Sequence, residues 1–288
     1  MTAPRAIGSG TALYGIFGNP VRHTLSPALH NAAFTHTGLD AVYMAFEIRE
    51  GFLGGALEAM RSMGMRGANL TIPFKEEAIE FVDEIPEDID RCIGALNTIV
   101  NKDGVLHGYN TDGPGLLLAL QEELRFSVEG KSILILGSGG AARGAAFALA
   151  RSHAQTIFIH NRTVDRAEGL AENLSTHFPS AEIEVLQSME AVQSEKFDLI
   201  LNATSLGLKK SDALPIHLST VGGKPAVYDM IYHVQTPLVA EAKKKGLAAT
   251  GGLGMLVNQA AISFRHWTGQ IEGVREVMKK AAQEGIDQ

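Results

Sequence analysis

A glycine-rich stretch, GSGGAARG at residues 137–144, constrains the fold of this chain more than any other feature. It follows the apolar run SILIL, which predicts a buried parallel strand, and it opens the helical stretch ARGAAFALAR. Glycines here allow a tight turn and a close approach of the backbone to a pyrophosphate, and the first N–H groups of the helix favour negative charge. The strand TIFIHN then completes the βαβ unit of a dinucleotide-binding fold. The alternative is a glycine-rich turn that binds no ligand.

Strands and helices alternate on both sides of this stretch. The first third predicts the order β-α-β-α-β, starting with the strand ALYGIFG, and later strands are predicted at FDLILNAT, AVYDMIY and LAATGG. This alternation is typical of α/β proteins. We predict an N-terminal α/β substrate domain over residues 1–110 and a doubly wound, Rossmann-type dinucleotide-binding domain over residues 111–254. The C-terminal helices, residues 255–288, are predicted to dock back onto the first domain.

Three local patterns give specific structural predictions. Ser26 precedes Pro27, so it is predicted to be the N-cap of the first helix with proline at the first helical position. The amphipathic stretch KEEAIEFVDEI, residues 75–85, predicts a helix. Asp103 and Gly104 predict the tight turn of a hairpin.

Charge and cysteine content exclude several classes of partner. The 288 residues include 25 lysines and arginines against 32 acidic residues, and this net charge of −7 argues against a nucleic-acid surface. Cys92 is the only cysteine, so neither a disulfide nor a metal site is expected. The N-terminus has no apolar signal region, and no apolar run approaches the roughly 18 residues of a membrane span. A cytoplasmic protein with a small-molecule partner, and with no membrane partner, is expected.

Basic residues lie at the end of the second strand of the dinucleotide unit, where NAD-binding proteins usually place an acid. The sequence is Asn161-Arg162-Thr163, and Arg166 follows one turn later. An acidic side chain would repel the 2′-phosphate of NADP, whereas guanidinium groups bind it. An ordinary solvated helix start is the alternative, but basic residues oppose the dipole at a helix N-terminus. NADP is therefore predicted over NAD.

Polar residues cluster at predicted strand ends and turns of the first domain. Hydride transfer between a carbonyl and an alcohol needs a proton donor and acceptor at the oxygen and polar groups for the rest of the substrate. Lys75 and Asp112 are the candidates for the proton transfer. Each residue of the cluster also has a structural interpretation, as a helix cap, a turn residue or a surface lysine. The cluster comprises Thr24, Ser26, Asn69, Thr71, Lys75, Asn97, Asn110 and Asp112.

Nine short strings carry a resemblance to a known family. In chain order they are GNPVRHTLSP, NLTIPFK, ALNTIV, GYNTDG, GSGGAARG, NRT, NATSLG, YDMIY and GMLVNQA. Together they resemble the shikimate dehydrogenase family over residues 19–259. The resemblance implies a two-domain α/β enzyme that reversibly reduces 3-dehydroshikimate to shikimate with NADPH, in the pathway to the aromatic amino acids.

The resemblance also implies roles for individual residues. Lys75 is the general acid and base, and Asp112 is its hydrogen-bonded partner. Thr24, Ser26 and Tyr232 bind the substrate carboxylate, and Thr71, Asn97 and Gln259 bind ring hydroxyls. The implied cofactor contacts are Gly137, Ser138, Gly139, Gly140 and Ala141 for the pyrophosphate, Asn161, Arg162, Thr163 and Arg166 for the adenosine phosphate, and Met230 and Gly252 near the nicotinamide.

One residue departs from the family pattern. Thr24 stands where many members have serine, so its methyl group adds bulk at the carboxylate site. Two alternatives stay open: a quinate/shikimate dehydrogenase with a relaxed choice of substrate or cofactor, and a catalytically silent NADP(H)-binding sensor. The presence of both Lys75 and Asp112 counts against the sensor. A monomer or a homodimer is expected.

Overall fold

The computed structural model describes residues 7–209 and 211–286, which form two compact units. The first unit consists of the described residues up to Thr111 together with those from Val257 onward. The second unit is Asp112–Leu256. Both units are built from strands and helices, so the predicted α/β class is confirmed.

Strands and helices alternate along most of the chain. The strands are β1 (Ala12–Gly18), β2 (Ala41–Glu47), β3 (Gly67–Leu70), β4 (Thr98–Lys102), β5 (Val105–Tyr109), β6 (Ser132–Leu136), β7 (Thr156–His160), β8 (Glu182–Val185), β9 (Leu199–Asn202), β10 (Ala226–Asp229) and β11 (Ala249–Gly251). The helices are α1 (Ser26–Thr37), α2 (Leu53–Ser62), α3 (Asp88–Ile93), α4 (Asp112–Glu123), α5 (Gly140–Arg151), α6 (Val164–His177), α7 (Met189–Ser194), α8 (Pro237–Lys244), α9 (Leu253–Thr268) and α10 (Val274–Ile286).

A mixed five-stranded sheet, ordered β2-β1-β3-β4-β5, forms the centre of the first unit. β1 pairs in parallel with β2 and β3, whereas β4 is antiparallel to both β3 and β5. The β4–β5 hairpin turns at Asp103 and Gly104, which both have positive φ angles (52° and 92°), so the predicted turn is confirmed. Helix α10 packs against α1.

Aromatic side chains join α1 and α9 to this sheet. Tyr14 of β1 and Phe34 of α1 pack with ring centroids 5.0 Å apart, and Tyr14 also contacts Trp267 of α9 at 5.2 Å. The Trp267 indole Nε1 donates to the carbonyl of Ile99, at 2.9 Å. The Trp267 indole ring passes over Gly67, where an added Cβ would lie only 2.3 Å from Nε1. A glycine is therefore needed at this point of the sheet.

The predicted helix at residues 75–85 is wrong, because only one 3-10 turn, Glu77–Glu80, forms there. Arg61 binds the carboxylate of Asp83, which also accepts the Leu106 N–H at 2.6 Å. The N–H groups of Asp83 and Glu84 donate to the Leu106 carbonyl at 2.9 and 3.1 Å. These hydrogen bonds to the edge strand β5 override the local amphipathic pattern, which is a weak determinant by itself.

The predicted N-cap of α1 is also wrong by one residue. Leu25 occupies the N-cap position without a side-chain cap, and Ser26 is the first helical residue. Thr24 supplies the local hydrogen bond instead, because its hydroxyl accepts the Ser26 N–H at 3.2 Å. Pro27 is therefore the second helical residue rather than the predicted first, and it still falls in the first turn.

The second unit is built on a six-stranded parallel sheet ordered β11-β10-β9-β6-β7-β8. Within this unit, β6 lies in the middle of the sheet. β7 and β8 extend the sheet on one side of β6, and β9, β10 and β11 extend it on the other. This is the strand order of a Rossmann fold, and its reversal between β6 and β9 creates a crevice at the carboxyl ends of these strands. The predicted doubly wound sheet is confirmed.

The sequence patterns do not predict α3, α7 or α8. Helix α8 does carry a start signal, since Thr236 at its N-cap accepts the Val239 N–H at 3.3 Å and Pro237 follows. None of the described helices is long and apolar enough to cross a membrane. In the described part of the chain, no group of three or more His, Cys, Asp or Glu side chains is placed to hold a metal ion.

Candidate active site

The ends of four strands meet at one edge of the sheet in the first unit. β1 and β3 finish there, and because β4 is antiparallel to β3, β4 starts there and β5 finishes there. Backbone hydrogen bonds join the adjoining segments: the Thr71 N–H donates to Phe17 at 3.0 Å, and the Leu96 N–H donates to Lys75 at 2.7 Å. The edge thus brings together Thr71, the half-buried Lys75 and the buried Asn97.

Six polar side chains form a hydrogen-bonded group at this edge, which we call the amide network. Asn97 Nδ2 donates to Thr111 Oγ1 at 2.9 Å and to Gln259 Oε1 at 3.2 Å. Asn69 Nδ2 donates to the Asn97 carbonyl at 3.0 Å and to Ser263 Oγ at 3.1 Å. The network therefore brings Gln259 of α9 against Asn97. Its members are Asn69, Asn97, Thr98, Thr111, Gln259 and Ser263.

Thr24 and Ser26 are paired just before and at the start of α1. The Thr24 hydroxyl donates to Ser26 Oγ at 3.0 Å while accepting the Ser26 N–H. Because Thr24 uses its proton on Ser26, the Ser26 hydroxyl keeps its own proton for another acceptor. Ser26 is buried and Thr24 is half-buried. A pair of hydroxyls held in this way suits a carboxylate.

Two residues with implied substrate or catalytic roles belong to the second unit. Asp112 is the buried first residue of α4 and directly follows Thr111 of the amide network in the chain. Tyr232 is half-buried and lies three residues after the end of β10. The pairing of either residue with a first-unit residue stays a prediction.

The glycine-rich stretch lies at the reversal point of the second sheet, between the ends of β6 and β9. Gly137 has a φ of 110°, and an added Cβ there would approach the Ala203 carbonyl oxygen to 3.0 Å. Gly139 is the N-cap of α5, and its carbonyl accepts the Arg143 N–H at 2.9 Å. The loop therefore directs the start of α5 toward the crevice, with Gly140 and Ala141 in the first turn.

Two details of this loop fit a pyrophosphate. The Ser138 hydroxyl is buried and has no hydrogen-bond partner within the described chain, so a ligand oxygen would satisfy it. A Cβ built on Gly139 meets no atom within 4 Å, so its backbone is open to a ligand. The residues present fit a dinucleotide, with Gly137–Ala141 as the segment that would hold its phosphates.

The predicted adenosine-phosphate residues gather where β7 leads into α6. Asn161 Nδ2 donates to the Thr163 carbonyl at 2.8 Å, which shapes the turn. Arg162, Thr163 and Arg166 are exposed around the N-terminus of α6. Two exposed guanidinium groups beside a helix start are an arrangement that suits an anion.

A buried carboxylate fixes the segments after β9 and β10, and sequence reasoning missed it. Asp229 is fully buried, and its Oδ1 accepts Asn202 Nδ2 at 3.0 Å and the Ile231 N–H at 3.1 Å. Its Oδ2 accepts the Thr236 hydroxyl at 2.7 Å. Burial raises the pKa of the Asp229 carboxyl, and these three hydrogen bonds oppose that rise.

The same segment constrains two predicted nicotinamide residues. The Gly252 N–H donates to the Ile231 carbonyl at 3.0 Å. An added Cβ at Gly252 would lie 2.2 Å from the Met230 carbonyl oxygen. Glycine is therefore required at 252, and Asp229 and Gly252 together fix the path of the chain through Met230.

Comparison with known families and proteins assigns the chain. Residues 16–99 match the family "Shikimate dehydrogenase substrate binding domain", residues 119–208 match "Shikimate / quinate 5-dehydrogenase", and residues 252–283 match "Shikimate 5′-dehydrogenase C-terminal domain". The chain is 42% identical over 264 residues to shikimate dehydrogenase (NADP(+)) of Geobacillus kaustophilus, covering 90% of this chain and 93% of that protein. The chain belongs to the shikimate dehydrogenase family.

Two further members agree with this assignment. Shikimate dehydrogenase (NADP(+)) of Methanopyrus kandleri is 40% identical over 291 residues, which span 99% of this chain and all of that protein. The Thermus thermophilus shikimate 5-dehydrogenase, solved in complex with NADP(H) and shikimate, superposes with a TM-score of 0.84 at 35% identity. That match covers 96% of this chain and 100% of the other. The resemblance predicted from the sequence is confirmed.

The structure adds residues of this shikimate dehydrogenase family member that sequence reasoning did not assign to the site. Thr111 lies within GYNTDG and looks like an ordinary turn residue. Ser263 follows Gln259 by four residues, so their spacing on α9 was the signal that they share a helix face. Asp229 ends an apolar strand, and nothing in the sequence indicates that it is buried.

Proposed function

We propose that the protein catalyses the reversible NADPH-dependent reduction of 3-dehydroshikimate to shikimate. The observation that carries the proposal is the amide network, which lies at the same sheet edge as Lys75. Most of this edge lies within residues 16–99, the part that matches the family's substrate-binding domain. Hydrogen-bonding amides beside a lysine suit a polyhydroxylated ring with one oxygen that gains a proton.

Each group of the first unit has a task in this reaction. Thr24 and Ser26 bind the substrate carboxylate with Tyr232, and Thr71, Asn97 and Gln259 bind ring hydroxyls. NADPH, when bound, would supply the hydride for the carbonyl carbon. Lys75 donates a proton to the carbonyl oxygen, which becomes the hydroxyl of shikimate, and Asp112 holds Lys75 in place. In the reverse direction Lys75 accepts the hydroxyl proton.

The cofactor-binding residues lie in the second unit. Gly137–Ala141 bind the pyrophosphate with backbone N–H groups at the start of α5, and Ser138 adds its hydroxyl. Asn161, Arg162, Thr163 and Arg166 bind the adenosine phosphate. Met230 and Gly252 would hold the nicotinamide end, and Asp229 fixes the segment that contains Met230.

A spectrophotometric assay tests the proposal directly. Shikimate and quinate are each paired with NADP and with NAD, and formation of the reduced nicotinamide is followed. We expect the largest kcat/KM with shikimate and NADP. Comparable rates with quinate or with NAD would favour the quinate/shikimate alternative, and NADPH binding without turnover of either acid would favour a sensor.

Arg162→Asp is expected to lower the affinity for NADP at least tenfold, with little change for NAD. The substitution removes a charge-assisted contact with the 2′-phosphate, worth roughly 1.5 to 3 kcal/mol, and adds repulsion. Titration of the protein with each nucleotide in a calorimeter measures the effect without turnover. Arg151→Asp makes the same change of charge at the C-terminus of α5, away from the glycine-rich stretch, and serves as the control. An unchanged NADP affinity would place the 2′-phosphate elsewhere.

Ser26→Ala is expected to raise the KM for shikimate by about tenfold and to lower kcat much less. A group that anchors the carboxylate acts in the ground state and the transition state alike, and a hydrogen bond to a charged group contributes about 1.5 to 3 kcal/mol. Because Ser26 is not the N-cap, the melting temperature should barely change. Thr24→Ser tests the added methyl group, and Ser62→Ala, at the exposed end of α2, is the control. A normal KM in Ser26→Ala would remove this residue from the carboxylate site.

We also propose that the protein acts in the cytoplasm as a monomer or homodimer, without a nucleic-acid or membrane partner. The net charge of −7 supports the absence of a nucleic-acid partner. Light scattering coupled to gel filtration measures the oligomeric state.

A further inference from the structure

The orientation of the amide network can be traced from one backbone group. The Thr111 N–H can only donate, and it lies 2.8 Å from the side-chain amide of Asn97. The nearer atom of that amide is therefore Oδ1, and Nδ2 is on the other side. The Thr111 backbone thus fixes which way Asn97 faces.

The same reasoning passes from Asn97 to Gln259. Asn97 Nδ2 can only donate, and it lies 3.2 Å from the Gln259 amide, so the facing atom is Oε1. Thr111 Oγ1 accepts the same Nδ2 at 2.9 Å, and its one proton has two acceptors in reach, Asn97 Oδ1 at 3.2 Å and Gln259 Oε1 at 3.5 Å. Gln259 therefore turns its carbonyl oxygen into the network and its amino group to the opposite side.

Two buried hydroxyls support the Thr111 side chain. Thr111 Oγ1 lies 3.2 Å from Ser263 Oγ, which lies 2.7 Å from Thr98 Oγ1. All three side chains are fully buried, and Asn97 is 2% exposed. Burying this many polar groups is costly unless they are satisfied, and a satisfied group of this kind allows only one arrangement.

We infer that Thr111 is a positioning residue that sets the amides of Asn97 and Gln259, so that Gln259 donates rather than accepts a hydrogen bond at the substrate. The inference rests on the proposed function only for the identity of the substrate. Thr111 contacts Asn97 and Gln259, and it acts on the ligand through them. The site is thereby selective for an oxygen that accepts a hydrogen bond at the Gln259 position.

Two substitutions separate the hydroxyl of Thr111 from its shape. Thr111→Val keeps the shape and the backbone N–H but removes the hydroxyl that accepts Asn97 Nδ2 at 2.9 Å. The Asn97 amide is then held on one side only, so we expect a KM for shikimate about five- to tenfold higher and a kcat within about threefold of normal. Thr111→Ser keeps the hydroxyl and should restore the KM. Thr156→Val, at the start of β7 in the second unit, is the matched control. It also removes a buried hydroxyl that makes a side-chain hydrogen bond, 2.7 Å to Glu182.

A measurement that needs no substrate decides the positioning role. In ¹⁵N-labelled protein, the side-chain NH₂ signal of Asn97, the amide that donates to Thr111 Oγ1, is identified by its loss in Asn97→Asp. Its hydrogen exchange should be at least tenfold faster in Thr111→Val than in the unsubstituted protein, and unchanged in Thr156→Val. If Thr111→Val does not fold, Ser263→Ala is used instead. It removes the hydroxyl that contacts Thr111 Oγ1 at 3.2 Å, and it should also speed this exchange.

The possible results separate the two proposals. Unchanged exchange in folded Thr111→Val would overturn the positioning role, as would a Thr111→Ser protein as impaired as Thr111→Val. If the unsubstituted protein does not turn over shikimate, the proposed function fails. The exchange comparison would then still decide whether Thr111 sets the amides.

Discussion

Lys75→Ala is expected to lower kcat by about 10²- to 10⁴-fold, while the KM for shikimate changes much less. Hydride transfer at the alcohol carbon requires the hydroxyl proton to leave, so losing the proposed proton acceptor should slow the chemical step rather than binding. The measurement is steady-state kinetics with shikimate and NADP. A folded Lys75→Ala protein with a nearly normal kcat would remove Lys75 from the mechanism, without affecting the cofactor site.

The structure makes this test clean. Phe74, next to Lys75, is fully buried, and the Lys75 carbonyl accepts the Leu96 N–H, so the backbone at this position is held without the lysine side chain. Lys75 itself is half-buried, so the substitution removes a partly exposed side chain rather than a core one. Lys102→Ala, at an exposed lysine of the same sheet, is the matched control and should behave normally.

The proposed partnership of Lys75 with Asp112 predicts a specific kinetic result. Asp112→Asn should also lower kcat. In the Lys75→Ala/Asp112→Asn protein, the fold reduction in kcat should be far smaller than the product of the two single reductions. Groups that act as one unit show this non-additivity. Fully multiplicative effects would mean that Asp112 does not act through Lys75.

Local sequence patterns predict much of the fold. The predictions that fail do so because of tertiary contacts. The strand–glycine–helix order around residues 137–144 predicts the Rossmann-type unit because the glycines and the buried apolar strand have few other uses. The amphipathic pattern at residues 75–85 fails because Arg61 and Leu106, distant in sequence, bind Asp83. No window of local sequence contains those partners.

The same limit applies to the site. The sequence motifs identify Asn97 and Gln259 as candidates, but these residues are 162 positions apart and meet only once α9 packs on the sheet. Thr111 has no distinctive sequence signal and Ser263 has only its spacing from Gln259, since the importance of both lies in contacts within the amide network. Asp229 is likewise recognisable only from its burial.

His30 provides the second large effect, on stability rather than catalysis. It lies on α1 one turn after Ser26 and is fully buried. Its ring stacks on Tyr43 with ring centroids 4.4 Å apart, and it packs at a tilt against Trp267 with centroids 5.0 Å apart. Burial lowers the pKa of His30 to about 3, and the Asn69 side chain opposes this only in part. The folded protein therefore keeps this imidazole neutral.

The direction of the pH effect follows from the two pKa values. In the unfolded chain His30 takes up a proton with a pKa near 6.5, whereas in the folded protein the pKa is about 3. The contribution of neutral His30 to stability is fully present above pH 6.5 and is lost as the pH falls from 6.5 toward 3. At about 1.4 kcal/mol per pH unit, the free energy of unfolding should fall by about 2 kcal/mol by pH 5 from this residue alone.

His30→Phe should remove this loss while retaining an aromatic ring against Tyr43. Urea unfolding at pH 7 and pH 5 can be followed by the fluorescence of Trp267, the only tryptophan, which lies in the same unit and contacts His30. Between these pH values, unfolding free energy should fall about 2 kcal/mol less in His30→Phe than in the unsubstituted protein. His217→Gln, at an exposed histidine, should leave the pH dependence unchanged. Equal pH dependence in His30→Phe and the unsubstituted protein would mean that His30 is accommodated in its charged form, and that acid weakens this unit through its carboxylates instead.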